Sequence, residues 1–381
     1  MLTRIYALAF GNKQELGDYR AMLEEAKKRD HRILGEKLDL FMISDEVGKG
    51  LPLWLPNGAY IRKKLEDFIY EKESARGYKY IYTPILTNKR LYEQSGHLVH
   101  YREDMYSPIE IEGEEYYLRP MNCPHHHQIF KHRPLSYRDL PLRLAESGLV
   151  HRFERSGVLT GLIRARCFTQ NDAHIYCAKS DLKNELLDVL KLFHEVYDNV
   201  FGIRDYWFRL SLPDFSNKEK FGDIENSATW EEAAKMARDT LDEFGAKYVE
   251  GGGEAAFYGP KIDVQIKNVN GKEDTIATIQ IDFYSAKRFD LHFINAEGQK
   301  EEPVIIHRAI MGSFDRFFAF ITEHYGGAFP LWLSPVQVKV ITISENHHAY
   351  GTKIFEILKE AVIRSELDLN NESLGKKIRE A

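Results

Sequence analysis

Between residues 164 and 174 the chain places Arg164, Arg166, Phe168, Gln170, Asp172 and His174 at every second position, a pattern few local structures accommodate. A β-strand sends alternate side chains to opposite faces. These six therefore point one way, while Ala165, Cys167, Thr169, Asn171 and Ala173 point the other and, being small, give no hint of a site. Just upstream a partner strand is expected in which Arg152 and Glu154 share a face, joined to the first by the glycine-bearing loop at 156–161, so that a hairpin spans 149–177. A hairpin that merely met water would more often carry threonines, lysines and glutamates. Here one surface gathers arginines, acids, an aromatic ring, an amide and an imidazole. Arginine forks grip phosphate oxygens in pairs and stay charged at any working pH. A phenylalanine offers a stacking platform, and a carboxylate accepts from an exocyclic amine. Phosphates together with a flat ring describe a nucleotide.

The remaining composition narrows the class. With 381 residues the chain can form roughly two to three domains with a sizeable core. A net charge of −6 gives no global attraction to nucleic acid, so RNA binding would rest on local basic patches. Cys123, Cys167 and Cys177 cannot pair off into a framework and suit a reducing cytoplasm. No apolar run approaches the roughly 18 residues that span a bilayer, and the start lacks the layout of a signal peptide. The expectation is a soluble cytoplasmic protein without a membrane partner.

Arg152-Phe153-Glu154, a loop, then Arg164 and Phe168 resembles the second signature motif of class II aminoacyl-tRNA synthetases, and FTQNDAHIYC at 168–177 is similar to the wording of threonyl-tRNA synthetases. The rest of the chain can be taken in order. After a short apolar stretch at 2–10, Leu16, Tyr19, Leu23 and Ala26 recur at helical spacing, so 12–31 is expected as an amphipathic helix. It resembles the connector that precedes the catalytic domain in bacterial members of the family, with the editing region absent here. A helix with Ile61, Leu65, Phe68 and Ile69 on one side, then YKYIYTPIL around Pro84, resembles the first class II motif, which implies a homodimer. His97 matches a histidine placed near the terminal ribose of tRNA, where a near-neutral pKa would suit proton transfer; read from residues alone it is a loop histidine.

The run MNCPHHHQIF tempts one to draw a metal cluster, but adjacent residues rarely converge on one ion. The resemblance singles out Cys123 and joins it to His174 and His307, an ordinary ligand set for Zn²⁺ with one coordination position left for substrate. Taken singly, Cys123 reads as an apolar filler and the two histidines as satisfied core residues. His125 stands where related sequences usually have glycine. Residues 180–200, 207–212 and 229–244 read as scaffold helix, strand and helix. The glycines of GGGEAAFYGPK lack the lysine-serine ending of a phosphate loop; in the resembling family Tyr258 and Lys261 border the pocket. In TIATIQIDF, Thr278, Gln280 and Asp282 share a face, whereas Asp274 and Thr275 occupy places that commonly hold Trp-Gln. PVIIHRAIMGSFDRFF reads as a strand breaking at Gly312 into a helix with Arg316, which resembles the third motif. From about 333 a strand and a helix at 349–363 resemble an anticodon-binding domain, incomplete because Leu374 and Ile378 are the only apolar pair in its last helix.

The resemblance thus implies an α+β fold: a connector at 1–45, a class II catalytic domain at 46–332 built on an antiparallel sheet flanked by helices, and an incomplete α/β anticodon-binding domain at 333–381. It implies ATP-dependent formation of threonyl-adenylate and transfer to tRNA(Thr), with tRNA charging weak in this chain. Arg152, Arg316 and His97 would be catalytic. ATP would be held by Arg152, Glu154, Arg164, Phe168, Lys261, Thr278, Gln280 and Arg316, with Mg²⁺ on its phosphates. Threonine would be held by Gln170, Asp172 and Tyr258, and Zn²⁺ by Cys123, His174 and His307. The alternatives are a class II synthetase of proline or serine specificity, or a synthetase-like binding protein without catalysis.

Overall fold

The hairpin forms, and its first strand is longer than expected. In the computed structural model, which describes residues 7–214, 216, 227–256 and 258–381, Leu142–His151 pairs antiparallel with Cys167–Cys177, from Leu142↔Tyr176 to His151↔Cys167. Arg152 and Glu154 therefore follow the first strand, and Arg164 and Arg166 precede the second, so all four arise from the connection rather than the ladder. Glu146 and Gly148 interrupt the apolar alternation that marks a half-buried strand, which hid its first seven residues.

In chain order the main sheet contains β1 (Lys79–Tyr80), β2 (Leu142–His151), β3 (Cys167–Cys177), β4 (Tyr206–Leu212), β5 (Tyr248–Gly252), β6 (Lys261–Lys267), β7 (Glu273–Asp282) and β8 (Val304–Ser313). The spatial order is β5-β4-β6-β7-β8-β3-β2-β1. The interior is antiparallel, as the resemblance implies, but the outermost pair at each edge is parallel. Parallel neighbours need a long crossover, and both pairs have one: a helix connects β4 to β5, and a small three-stranded sheet (Leu86–Asn88, Ile109–Ile111, Glu114–Leu118) lies between β1 and β2.

Around the sheet lie α1 (Lys13–Arg29), α2 (His31–Lys37), α3 (Pro56–Ser74), α4 (Cys123–Phe130), α5 (Leu182–His194), α6 (Ser227–Phe244), α7 (Phe314–Tyr325), α8 (His348–Glu360) and α9 (Leu374–Glu380), with shorter helices at Lys89–Ser95, His97–His100 and Ser285–Phe289. Asn12 caps α1 by accepting from the Glu15 amide, and the expected single helix breaks at Asp30, which caps α2 in turn. Residues 2–6 of the apolar stretch lie outside the described residues. Ile61, Leu65 and Ile69 of α3, Leu182, Leu186, Leu190 and Phe193 of α5, and Phe314, Phe317, Phe318 and Ile321 of α7 pack with Ile175, Ile279, Ile281 and Ile306 into one core. Each such side chain removed from water stabilises the fold by about 1.5–3 kcal/mol. Asn171, on the supposedly uninformative face of the hairpin, belongs to a polar network inside this core. It donates to Glu73 at 3.0 Å, and Glu73 accepts from the fully buried Arg308 at 2.5 Å.

With one sheet face filled by helices, the other is left for a site. Beyond residue 333 a smaller layer follows: β9 (Val338–Ile341) parallel to β10 (Ser365–Asp368), crossed by α8 and closed by α9. β10 went unexpected because Ser-Glu-Leu-Asp carries a single apolar residue. Leu374 and Ile378, the apolar pair of α9, are exposed.

Candidate active site

Register sets the free sheet face. Across four neighbouring strands Gln280, His307, His174 and Leu144 lie in one row, and Thr278, Ala309, Asp172 and Glu146 in the next. A register shift between Ala309 and Ser313 then sets Ser313 opposite Gln170. Gly312, in this bulge, has φ +59°, and a Cβ there would stand 2.3 Å from the Ile276 carbonyl. The strand thus bulges at Gly312 rather than ending there, and α7 begins two residues later.

A cleft of about 160 Å³ opens here, lined by Arg152, Glu154, Arg164, Phe168, Gln170, Thr275, Thr278, Gly312, Ser313 and Arg316, among others. Arg316 sits in the first turn of α7, capped by Ser313, and its guanidinium donates to the Ile163 carbonyl at 3.1 Å and the Thr275 carbonyl at 3.2 Å. Arg152 donates to the Pro120 carbonyl at 3.2 Å and lies over the Phe168 ring, 5.2 Å from its centroid. Burial lowers the pKa of both guanidiniums, and for Arg316 the charges of Arg152 and Arg164 act in the same direction. Arg152 and Arg316 are held by neutral carbonyls, so together with Arg164 the cleft presents excess positive charge, which a polyanion would neutralise. Glu154 pairs with Arg164 at 3.0 Å. Thr275 turns its hydroxyl inward to accept from Gln265 at 2.7 Å, so the amide usual in the resembling sequences has no substitute on the cleft side.

Beside the cleft, Cys123, His174 and His307 converge: one donor atom from each lies within 4.8 Å of the others. Cys123 opens α4, and the two histidines are paired across β3 and β8. Among the described residues, His174 Nε2 is buried with no hydrogen-bond partner. The donor set and this orphaned nitrogen both fit Zn²⁺. Burial holds the His174 imidazole neutral and pushes the Cys123 thiol up, with Asp172 and Asp282 adding to the latter; a cation between them would reverse the thiol's shift. Asp282 accepts from His307 Nε2 at 2.9 Å, leaving Nδ1 as that ring's lone-pair atom, and Tyr258 stacks on the same ring at 5.1 Å.

The orientation of His174 has its own support. Its Nδ1 meets His126 Nδ1 at 2.9 Å, and His126 Nε2 meets Glu146 Oε2 at 3.1 Å. A carboxylate only accepts, so His126 donates through Nε2 and accepts through Nδ1. His174 must then carry its proton on Nδ1, which frees Nε2 for a metal. Arg119, Asn122 and Thr83 also donate to Glu146, whose pKa is lowered to about 2, largely by His126 and Arg119 against its burial. The consecutive histidines are thus separate supports rather than a cluster: His125 bonds Thr87 at 2.6 Å and His127 bonds the Tyr176 hydroxyl at 2.9 Å. His125 is accommodated in place of glycine by this contact.

His97 is beside the triad, its Nδ1 2.7 Å from Ser95 Oγ and its Nε2 4.0 Å from Cys123 Sγ. Burial, with the Arg152 charge, lowers its pKa to about 3, which corrects the near-neutral value expected of it. Gln280 bridges the two halves, accepting from the Tyr258 hydroxyl and donating to Thr278 at 3.4 Å. Lys261 does not line the cleft; it pairs with Asp263 at 2.9 Å, one strand out from Gln280. Glu146 and His126 are not marked in the sequence reading, and Asp282, on the face it shares with Thr278 and Gln280, stands there without a role. An acid at the third position of the Leu142, Leu144, Glu146 face was the available signal.

The family model for the "tRNA synthetase class II core domain (G, H, P, S and T)" matches residues 106–325, and that for the "Anticodon binding domain" matches 337–381. Two relatives named threonine–tRNA ligase, from Exiguobacterium sp. and Geobacillus kaustophilus, are 49% and 51% identical over the whole chain, which spans 58% of the length of each. Two solved structures share the fold across most of both chains. The RNA binding domain of threonyl-tRNA synthetase from Cryptosporidium parvum is 38% identical at TM-score 0.85, over 92% of this chain and 86% of that one. The putative threonyl-tRNA synthetase ThrRS-1 from Aeropyrum pernix is 32% identical at TM-score 0.81, over 93% and 82%. On the combined strength of cleft, triad and these matches, the chain belongs to the class II tRNA synthetase family, in its threonyl-tRNA synthetase branch.

Proposed function

We propose that this chain condenses L-threonine with ATP, releasing pyrophosphate to form threonyl-adenylate, and passes the threonyl group to the terminal ribose of tRNA(Thr). The observation that carries the reading is the abutment of a three-arginine cleft on a Cys-His-His triad whose histidines are buried and one of whose imidazole nitrogens has no partner among the described residues. Phosphates and an amino acid can be held there side by side.

In this reading Arg152 neutralises the α-phosphate as charge develops on it, which is transition-state electrostatics. Arg164 and Arg316 hold the outer phosphates, with Mg²⁺ bound to the ATP, while Phe168 supports the base and Glu154 its amine. Thr278 borders the nucleotide with Gln280 beside it, while Lys261, paired with Asp263, stays one strand out. Cys123, His174 and His307 would hold Zn²⁺, which when bound would act as a Lewis acid toward the amino group and hydroxyl of threonine. Asp172 accepts the hydroxyl proton, Gln170 faces the carboxylate, and Tyr258 closes the pocket over His307. His97 remains neutral and accepts a hydrogen bond from the attacking ribose hydroxyl, which orients it. The exposed motif around Pro84 pairs two copies. The division at 1–45, 46–332 and 333–381 separates connector, catalytic and anticodon-binding parts. Free cysteines suit a cytoplasmic setting, and among the described residues no helix is long and apolar enough to cross a membrane.

The test is threonine-dependent exchange of pyrophosphate into ATP, with and without a chelator. Exchange that needs threonine and falls when metal is stripped is the expected result; exchange driven by proline, or none at all, would refute the assignment. Substrate discrimination follows from the pocket. Valine leaves buried polar groups unpaired and should be rejected strongly, whereas serine lacks only a methyl and should be activated with a loss of roughly 10–200-fold. Serine exchange well below that range would contradict the pocket as assigned.

A further inference from the structure

His31, the first residue of α2, is remote in sequence from the phosphate cleft, yet its ring is buried against the loop that carries Arg164. His31 Nε2 lies 3.3 Å from the Leu162 amide nitrogen. On the other side, Nδ1 lies 2.7 Å from Glu323 Oε1, and the His31 amide also donates to that oxygen at 3.3 Å. A backbone amide can only donate, so Nε2 accepts and the ring proton sits on Nδ1, directed to Glu323. One tautomer of one imidazole therefore ties the loop to α7. Asp30, His31 and Glu323 have donor atoms close enough to frame an ion. Both ring nitrogens are already engaged, however, and Asp30 is taken up by Arg32.

The loop is held at two adjacent points from the same helix. Ile163 accepts from Arg316 at 3.1 Å, and two turns further along α7 Glu323 reaches Leu162 through His31. Gly161, with φ +46°, lets the ring sit against bare backbone, since a Cβ there would stand 2.2 Å from His31 Nε2. Leu162, Ile163 and Arg164 all line the cleft.

We propose that His31 is a positioning residue for ATP binding: it fixes the loop against α7 so that Arg164 and Arg316 converge on one triphosphate. This rests on the ATP reading above. The full chain and its His31→Ala, His31→Asn and His31→Gln variants would be compared in two ways. One is hydrogen exchange of the peptide containing the Leu162 amide; the other is the KM for ATP and for threonine in pyrophosphate exchange. Asn keeps a donor for Glu323 but falls short of Leu162, so Leu162 should exchange faster and the ATP KM rise roughly tenfold, the loss of one hydrogen bond, with the threonine KM unchanged. Gln, whose amide oxygen reaches the Nε2 position, should restore Leu162 protection and most of the ATP affinity. Unchanged Leu162 exchange in His31→Ala and His31→Asn would overturn the clasp. A faster-exchanging Leu162 with an unaltered ATP KM, or both KM values rising together with a fall in Tm, would overturn the positioning role. Should the wild type show no exchange of pyrophosphate at all, the ATP reading fails, and Leu162 protection still decides whether the clasp exists.

Discussion

A buried imidazole nitrogen without a partner costs stability, and proteins keep such atoms where something is to be bound. His174 Nε2 is one, and Glu146 is what keeps it available. Replacing Glu146 by Gln lets an amide donate toward His126, which removes the demand that His174 carry its proton on Nδ1. Zinc affinity, measured by competition with a chromophoric chelator, should weaken by about 10–100-fold, the usual effect of losing such outer support; an unaltered affinity would show that the relay is idle. Glu146 also predicts a pH dependence. Its folded pKa, about 2, lies below the ordinary carboxylate value, so its stabilisation is fully present above that ordinary value and is lost as pH falls toward 2. The difference in urea midpoint between wild type and Glu146→Gln should therefore shrink from pH 6 to pH 3. A difference that stayed constant or grew would reverse the sign. At this scale the sequence showed the chemistry that points outward from the hairpin, because alternation exposes it. It did not show Glu146 or His126, because a supporting residue contacts a ligand and not the substrate, and no spacing rule connects positions 126, 146 and 174.

Elements decide where those residues point. β8 bears His307 and turns into α7, which bears Arg316, and the bulge between them depends on Gly312. A methyl at Gly312 would meet the Ile276 carbonyl at 2.3 Å in a backbone region that L-residues avoid. Gly312→Ala should cost about 1–3 kcal/mol of stability and swing Arg316 away from the Ile163 and Thr275 carbonyls. Denaturant unfolding together with the ATP KM would measure both. Normal ATP affinity in a destabilised variant would show that α7 is seated by its phenylalanines alone. Long periodic elements were readable from sequence: α3 and α5 bury residues that their spacing predicts, whereas in α1 only Ala26 of the expected stripe is buried and Leu16 is exposed. The parallel edge pairs and β10 were not, since pairing direction depends on crossovers and four residues with one leucine carry too little pattern.

At the scale of the whole molecule, the network that orients His174 does not end inside the core. Glu146 accepts from the Thr83 amide at 3.1 Å and the Thr83 hydroxyl at 2.8 Å, and Arg119 donates to the Thr83 carbonyl at 3.2 Å. Thr83 lies in the extended stretch leading to Pro84, next to Tyr82, which is 89% exposed. Tyr70 and Tyr82 flank a groove of about 710 Å³ that also includes Arg62, Glu66 and Asp67. An aromatic side chain this exposed on an extended segment marks a surface built to be covered. If a second copy covers it, ordering of residues 82–84 on assembly steadies Glu146, and through His126 the metal ligand. Tyr82→Asp places a charge at the centre of that contact and leaves every residue of the triad untouched. Sedimentation should show it shifted toward monomer relative to the wild type, and the same preparation should release zinc to a chelator faster. A variant that becomes monomeric yet holds zinc as tightly as wild type would confine Thr83 to supporting its own protomer; one that remains dimeric would move the interface to another face of the sheet.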